Sequence, residues 1–453
     1  MSCPSRVGVQ ALVLALTLVV SLLALAVPAE AQELRLGVPV GARSDRTAWS
    51  GGTASSSLTH VAQVIGAPQS SLVGPTGAGV GVALIDTGVA RVPGLTDIVA
   101  GPDLSLDSPF AEAHQLDAYG HGTHLAGIIT SDRSDARGMA PDATLVSVKV
   151  GAHNGAVDVS QVIAAIDWVV ARKADHNIRV LVLAYGTDGV QDPQVDPLAH
   201  AVQTAWRHGI VVVVAAGNEG QLRPQMANPA TDPYVISVGA IDTFGTNRTN
   251  DDSLAAFSAP GTPQRRPDVV APGVGIVSTS APGSFIEQTY PAAVRPEGLL
   301  RGNGTSQAAA VVGGAAAVLL QERPWLTPDQ VKAVLTSTAT PVRGGDPGTG
   351  SGLVNLHWAR TAPAPTSTQT HPTSLGTGTL EGARGSHHLV GDGVILQGEV
   401  DIMGQPFDSA AWAQAASAGA SWDEGVWNGV QWTGWSWNGW SWNGWSWNGV
   451  QWD

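Results

Sequence analysis

Three stretches of the chain each combine one chemically reactive side chain with glycines or other small residues. Asp86 ends an apolar run, VALIDTG, and is followed closely by a glycine. His121 lies between two glycines in YGHGTHLAG, where a helical pattern begins. Ser306 opens a long run of small apolar residues, NGTSQAAAVVGGAAAVLL. A carboxylate, an imidazole and a hydroxyl are the three groups that serine-based acyl transfer uses.

Each residue also has a plain structural interpretation when it is considered alone. Asp86 fits a turn or a helix cap, and Ser306 fits an ordinary N-cap. His124 follows His121 by three residues and invites a zinc site, but the stretch has no zincin-type glutamate and no third ligand at a suitable spacing. We interpret His121 as the candidate catalytic histidine and His124 as a buried, hydrogen-bonded one, and we predict no metal ligands.

The residues after Ser306 indicate more than a cap. A run of alanines and glycines lets a helix lie close to other backbone, and its N-terminus carries partial positive charge where an oxyanion would form. The order Asp86, His121, Ser306 differs from the chymotrypsin-like order and from the α/β-hydrolase order. The latter also needs a glycine two residues after the serine, where this chain has Ala308.

A fourth stretch offers a hydrogen-bond donor for the negative charge of a tetrahedral intermediate. The apolar run 211–216 leads into Gly217, Asn218, Glu219 and Gly220. The side-chain amide of Asn218 could donate to an oxyanion. Taken by itself, this residue is better interpreted as a turn-forming asparagine.

The strands and helices that must position these four candidate residues alternate along the chain. From about residue 79 to 354, short β-branched runs alternate with helical patterns, which predicts an α/β fold with a mainly parallel central sheet covered on both faces. The predicted strands are 80–85, 144–150, 180–185, 210–216 and 235–241. The predicted helices are 160–174, 197–208 and 327–340. The last of these begins with a capping pattern at Thr327.

Together the four stretches resemble the signatures of subtilisin-like serine peptidases. The motifs are DTG at Asp86, HGTHLAG at His121, AAGNEG at Asn218 and GTSQAA at Ser306. The resemblance covers about residues 61–355 and implies a three-layer α/β fold. It implies that Asp86 orients His121, which acts as general base and then acid, and that Ser306 is the acylated nucleophile. Asn218 and the backbone N–H of Ser306 would be the oxyanion donors.

The same resemblance implies a polypeptide substrate that pairs with the end of a strand. Its expected binding residues are Ala184, Tyr185, Gly186, Ala215, Ala216 and Gly217. The last three would wall the first specificity pocket, and their small size leaves room for a large apolar or aromatic side chain before the scissile bond. Ala184 and Tyr185 stand where serine and leucine are common in the family, so the shape of this pocket is not carried over.

Composition excludes some partners and cofactors. The formal net charge is -14, and lysines and arginines are scattered, so we expect no nucleic-acid partner. Cys3 is the single cysteine, and it lies within residues 1–31, the predicted signal peptide, so disulfides are not expected. The expected chemistry needs no cofactor. Relatives make structural calcium possible, but no oxygen-rich loop is specific enough to name ligands.

The chain divides by composition into five predicted regions. Residues 1–31 resemble a signal peptide, with Arg6, an apolar stretch and a small-x-small cleavage site, although an uncleaved anchor is the alternative. Residues 32–57 are a short pro-region or N-terminal segment, and 58–360 form the peptidase domain. Residues 361–374 form a Thr/Pro/Ser-rich linker, and 375–453 form a C-terminal extension. We expect a secreted or surface-associated protein.

The C-terminal extension contains WSWNG repeats, in which tryptophans recur every five residues. This period suits neither a simple strand nor an α-helix, and the Asn-Gly pairs predict turns, so we expect short extended pieces that stack their indoles. Exposed indoles could bind cell-wall polysaccharide, another subunit or substrate; a packed appendage that shields the core is the alternative. An inactive adhesion scaffold is the rival function, against which the four intact motif residues weigh. The oligomeric state is not predicted.

Overall fold

The structure is a computed structural model that describes residues 48–49, 55–68, 74–108, 115–366, 368–391, 394–432 and 446–447. All of these belong to one structural unit, Val40–Asp453. The predicted signal peptide, most of the predicted pro-region and most of the WSWNG repeats lie outside the described residues.

Strands and helices alternate through the first two thirds of the described chain. The strands are β1 Ser56–Ser57, β2 Gly81–Asp86, β3 Ile98–Asp103, β4 Thr144–Lys149, β5 Ile178–Leu183, β6 Val211–Ala215, β7 Ile236–Asp242, β8 Ser253–Leu254, β9 Val269–Pro272, β10 Ile276–Thr279, β11 Val294–Arg295, β12 Leu299–Gly302, β13 Leu389–Gly391, β14 Val394–Ile395, β15 Trp422–Asp423, β16 Val426–Trp427, β17 Val430–Gln431 and β18 Ser446–Trp447. The helices are α1 Leu58–Ile65, α2 His121–Thr130, α3 Val159–Arg172, α4 Pro197–Arg207, α5 Phe285–Thr289, α6 Thr305–Glu322, α7 Pro328–Ser337, α8 Leu356–Thr361, α9 Leu380–Arg384 and α10 Ser409–Ser417.

An eight-stranded sheet in the order β3-β4-β2-β5-β6-β7-β8, with β9 also paired to β7, forms the middle layer. Its pairings are parallel except for β7 with β8. Every residue of β2 and β6 is buried, so helices or loops cover both faces of the sheet. Helices α2 and α6 pack together, as do α3 and α4. The predicted α/β fold with a mainly parallel sheet is confirmed.

The predicted strands and helices occur with small shifts at their ends. Helix α3 begins after Asp158, which forms a capping box with Gln161, and α7 begins after the predicted cap, Thr327. Strand β5 covers Ile178–Leu183 rather than 180–185. The pairing of β5 with its neighbours β2 and β6 ends at Leu183, so the following residues extend beyond the sheet edge.

Helix α6 explains the small residues that follow Ser306. All residues of Thr305–Leu320 are buried. A Cβ atom at Gly313 would lie 2.3 Å from the Cγ2 atom of Val182 on β5, and one at Gly314 would lie 2.6 Å from the Cβ atom of Met139. Only glycine permits this approach, because a Cβ atom would clash with the branched side chain of Val182 or with the Cβ atom of Met139, and these buried groups cannot move away. The helix is thereby fixed against the centre of the sheet.

A buried ion pair ties the predicted C-terminal extension to the predicted peptidase domain. The Arg384 and Asp158 side chains are both 0% exposed, with Nε and Oδ2 2.6 Å apart. The predicted linker also contacts the domain: the backbone N–H of Ser374 donates to Oε1 of Gln203 at 2.8 Å. Arginine paired with a carboxylate in a dry site holds both partners in one geometry.

Tryptophans of the extension are packed rather than exposed up to Trp432. The indole N–H groups of Trp412 and Trp427 both donate to Oδ2 of Asp167 on α3, each at 2.8 Å. Strands β15, β16 and β17 form an antiparallel meander, and the Trp422 and Trp432 rings stack at 6.0 Å between centroids. The first repeats are therefore short extended pieces with stacked indoles. In this part of the extension, the packed-appendage alternative describes the observed contacts.

No helix among the described residues is both long enough and apolar enough to cross a membrane.

The burial of Asp167 should make the free energy of unfolding depend on pH. Burial raises the pKa of Asp167 to about 6, and the indole donors of Trp412 and Trp427 oppose this rise. Between about pH 4 and pH 6 the folded protein binds a proton that the unfolded chain has released, so stability falls as pH rises through this window. Asp167→Asn keeps an acceptor oxygen without the charge. It should raise the free energy of unfolding at pH 7 by on the order of 2 kcal/mol and change it little below pH 4.

Calorimetric melting temperatures across pH 4–7, measured in a Ser306→Ala background to prevent self-digestion, test this. The matched control is Asp423→Asn, an exposed carboxylate of the same extension, which should follow the unsubstituted protein at every pH. Parallel curves for Asp167→Asn and its parent would contradict the expectation.

Candidate active site

Carboxyl ends of three adjacent parallel strands define the site. Strands β2, β5 and β6 are neighbours in the sheet. Asp86 is the last residue of β2, Ala184 directly follows β5, and Asn218 comes three residues after the end of β6. Sites in parallel sheets form at this edge because the connecting loops leave it open.

Asp86 and His121 form a buried hydrogen-bonded pair. Nδ1 of His121 lies 2.9 Å from Oδ1 and 3.0 Å from Oδ2 of Asp86. The side chains are 3% and 1% exposed. A carboxylate can only accept, so the Nδ1 proton is directed to Asp86, which makes Nε2 the basic nitrogen of a neutral ring.

Asp117, which the sequence analysis did not single out, fixes the start of helix α2 and thereby His121. Its carboxylate accepts the backbone N–H groups of Gly120 and Thr123, each at 2.7 Å, and the Thr87 hydroxyl at 2.7 Å. Burial raises the pKa of Asp117, and these donors oppose the rise. An aspartate four residues before His121, ahead of a glycine N-cap without a capping side chain, was the available signal.

Thr87 connects the Asp117 cap of helix α2 to the carboxylate of Asp86. Its backbone N–H donates to Oδ1 of Asp86 at 2.8 Å, and its hydroxyl oxygen accepts the N–H of Gly122 at 2.9 Å. A Cβ atom at Gly122 would lie 2.1 Å from the carbonyl oxygen of Gly88. The glycine after His121 therefore allows α2 to approach the end of β2 closely enough for the Asp86–His121 contact.

Ser306 lies in the first turn of α6, at the same edge of the sheet. Its side chain is fully buried. Its Oγ atom lies 3.5 Å from the carbonyl oxygen of Ala184, which follows β5. The N-terminus of α6 thus presents a hydroxyl and the positive end of the helix dipole beside the segment expected to bind substrate.

The amide of Asn218 is oriented by Thr305, the residue before Ser306. Oδ1 of Asn218 accepts the backbone N–H of Thr305 at 2.9 Å and its hydroxyl at 3.2 Å. Because the oxygen is engaged by these donors, the NH2 group faces the opposite way. This half-buried amide and the first turn of α6 therefore lie next to each other.

His124 is buried and hydrogen-bonded, as the sequence suggested. Its Nε2 atom lies 3.1 Å from the carbonyl oxygen of Leu300 and 3.3 Å from that of Ile276. Burial, with a smaller contribution from the charge of His121, lowers the pKa of His124 to about 3. His124 is thus neutral at any pH above about 4.

Trp49 covers one side of both histidines, a contact that no sequence pattern indicated. The indole meets the ring of His121 edge-on at 6.2 Å and that of His124 at 5.3 Å. Its side chain is 3% exposed. A Cβ atom at residue 302 would lie 2.9 Å from the indole, so Gly302 leaves the space that Trp49 fills.

The six expected substrate-binding residues lie along two neighbouring segments. Ala184, Tyr185 and Gly186 follow β5, while Ala215, Ala216 and Gly217 end and follow β6. All six are buried. The backbone N–H of Thr187 donates to the carbonyl oxygen of Asn228, and the N–H of Ala227 donates to that of Ala216, each at 2.9 Å, so residues 227–228 link the two segments.

The described part of the chain shows no side-chain cluster suited to calcium. There, no group of three or more His, Cys, Asp or Glu side chains is arranged to hold a metal ion.

Comparisons with known proteins identify the family of the chain. The model of the Subtilase family matches residues 77–376. Serine protease AprX of Bacillus subtilis is 36% identical over 293 residues, which cover 62% of this chain and 66% of that protein. Subtilisin DY of Bacillus licheniformis is 33% identical over 290 residues, covering 63% of this chain and 92% of that protein.

A solved structure extends the likeness to the fold. Fervidolysin from Fervidobacterium pennivorans, a keratinolytic enzyme related to subtilisin, has a TM-score of 0.54 and 30% identity over 72% of this chain and 47% of its own. This chain spans just under two thirds of AprX and about half of fervidolysin. A family match over more than half of the chain and a relative covered almost completely establish the same conclusion: the chain belongs to the subtilase family.

Proposed function

We propose that the protein is a secreted endopeptidase that cleaves polypeptides through an acyl-enzyme on Ser306. The hydrogen bond from His121 to Asp86, at 2.9 Å in a buried site, is the observation that carries this proposal. It holds the imidazole with Nε2 as base. The signal-like residues 1–31 support export, and the expected substrates are polypeptides.

In the acylation step, Oγ of Ser306 attacks the carbonyl carbon of the scissile bond, and its proton passes to Nε2 of His121. Asp86 balances the charge of the resulting imidazolium. The tetrahedral intermediate collapses as His121 gives the proton to the leaving amine and the C–N bond breaks. Water then attacks the acyl group by the same route, which releases the acid product and restores Ser306.

Oxyanion stabilisation is assigned to Asn218 and to the backbone N–H of Ser306. Thr305 supports this assignment because it engages the amide oxygen of Asn218 and leaves the NH2 group to act as donor. Both donors are in place before the negative charge develops, so little reorganisation is needed during the reaction.

Specificity is assigned to the pocket between the two segments that follow β5 and β6. Ala215, Ala216 and Gly217 bear little or no side chain, so we expect a large apolar or aromatic residue before the scissile bond. Main-chain pairing of the substrate is assigned to Ala184, Tyr185 and Gly186. The inactive-scaffold alternative finds no observation in its favour.

Ser306→Ala should abolish peptide hydrolysis, lowering kcat by about 10⁴-fold to 10⁶-fold, because no other group can form the acyl-enzyme. Turnover of a fluorogenic peptide and mass spectrometry after treatment with a serine-directed phosphonate measure this. The control is Ser337→Ala, an exposed serine on α7, which should keep full activity and the adduct. Folded parent protein without an adduct at Ser306 would favour the inactive scaffold.

Asn218→Leu should lower kcat by about 10²-fold to 10³-fold with little change in KM, the loss established for one oxyanion donor in subtilisin itself. The matched control is Asn247→Leu, an exposed asparagine, which should leave both constants unchanged. Steady-state kinetics on one peptide measure kcat and KM for both variants and the parent. A kcat for Asn218→Leu within a few-fold of the parent would remove Asn218 from the chemistry.

Cleavage should rise from acid to neutral pH, because His121 must be neutral to accept the proton of Ser306. His124 cannot produce this rise, since burial lowers its pKa to about 3. The measurement is kcat/KM against pH on a peptide without ionisable side chains. A flat profile across this window would contradict the role of His121.

A further inference from the structure

The chain that follows the proposed substrate-binding segment is hydrogen-bonded to the segment that joins the two proposed walls of the specificity pocket. We call residues 187–191 the wall loop. Its first residue, Thr187, exchanges two backbone hydrogen bonds with Asn228, each at 2.9 Å. The neighbouring Ala227 donates its N–H to the carbonyl oxygen of Ala216 at 2.9 Å. Thr187 is therefore linked, through one short segment, to both proposed walls of the pocket.

A turn of the C-terminal extension lies directly on the wall loop. We call residues 379–386, which include α9, the brace. The buried hydroxyl of Thr187 donates to the carbonyl oxygen of Ala383 at 2.6 Å. The backbone N–H and the hydroxyl of Ser386 donate to the two carboxylate oxygens of Asp188, at 2.6 Å and 2.5 Å.

The other end of the wall loop is held in the same way. Nε2 of Gln191 donates to the carbonyl oxygen of Thr379 at 2.8 Å, and Oε1 of Gln191 accepts the N–H of Thr379 at 2.9 Å. The brace thus contacts the first, second and last residues of the loop. Main-chain and side-chain bonds at both ends leave the loop little freedom to move independently of the brace.

Glycines on both sides make the contact close. A Cβ atom at Gly189 of the wall loop would lie 2.6 Å from the carbonyl oxygen of Gly382. A Cβ atom at Gly385 of the brace would lie 2.1 Å from Oδ1 of Asp188 and 2.6 Å from the backbone nitrogen of Gly189. The two segments are therefore backbone-to-backbone neighbours, and any added atom would push them apart.

The brace is itself anchored to the body of the domain. Arg384, at its centre, is 0% exposed and pairs through Nε with Oδ2 of Asp158 at 2.6 Å. Asp158 is also the N-cap of α3, where it accepts the N–H of Ser160 at 2.9 Å. The brace consequently has a fixed position relative to the central sheet, independent of the linker that leads to it.

We propose that the brace is a positioning element of the specificity pocket, which holds the wall loop in place and so helps to select the side chain before the scissile bond. This inference rests on the proposed function, because it needs Ala184–Gly186 and Ala215–Gly217 to form the pocket. The brace itself does not touch substrate. Apolar pockets discriminate by contacts with single methylene groups, so a small displacement of one wall changes selectivity.

The test uses the full chain carrying Gly385→Ala or Ser386→Ala and a series of peptides that differ only in the residue before the scissile bond. For Gly385→Ala, the ratio of kcat/KM for phenylalanine over alanine peptides should fall by about tenfold, the low end for one altered apolar contact. Ser386→Ala should give a smaller fall, because its bonds to Asp188 are solvent-exposed.

Gly429→Ala is the matched control. Gly429 also lies in the extension and has φ +76°, comparable with +65° at Gly385, but a Cβ atom there would meet nothing within 4 Å. Like Gly385→Ala, it places a Cβ atom at a positive φ, but it does not displace the wall loop, so its ratios should equal those of the parent. Equal ratios in Gly385→Ala and the parent would overturn the proposal.

Phosphonate labelling of Ser306 separates the two possible failures. Folded parent protein that forms no adduct refutes the proposed function, whereas full adduct formation with unchanged selectivity refutes only the brace. If Gly385→Ala does not fold, the same kcat/KM ratios are measured for Thr187→Val. This substitution removes the hydroxyl donor to Ala383 and keeps the shape of the side chain. Unchanged ratios in Thr187→Val would then overturn the proposal.

Discussion

The close approach of helix α6 to the central sheet is the constraint on which the rest of the site depends. Gly313 lets the helix backbone approach Val182 more closely than a Cβ atom would permit, and the residues from Thr305 to Leu320 are all buried. Such packing leaves no room for the helix to slide or tilt. The first turn, with Thr305 and Ser306, is thereby held at the carboxyl edge beside Ala184 and Asn218. A nucleophile in a flexible loop would lack this precision.

Hydrogen bonds and close packing also fix the polar groups around His121. Asp117 engages the first turn of α2, Thr87 connects that cap to Asp86, and Gly122 lets the two elements approach. The carboxylate that faces His121 is therefore backed by a network rather than left as an isolated buried charge. Buried polar networks of this kind hold one geometry when every member has a partner.

The C-terminal extension is integrated with the peptidase domain through two buried carboxylates of helix α3. Asp158 receives Arg384, and Asp167 receives the indoles of Trp412 and Trp427. Asp158 is also the N-cap of the helix. An appendage attached at these points is a continuation of the domain up to Trp432, and its contacts with residues 187–191 bring it to the rim of the proposed pocket.

The sequence by itself determined the fold class, the approximate strands and helices, and the candidates Asp86, His121, Asn218 and Ser306. These follow from local signals: hydrophobic period, capping residues and glycines beside a reactive side chain are written in neighbouring positions. The direction of the Asn218 amide, the support from Asp117, the cover provided by Trp49 and the brace on the wall loop were decided only by the tertiary structure. Each depends on atoms that are distant in the chain and meet because packing leaves them no other place, as with Thr187 and Ala383.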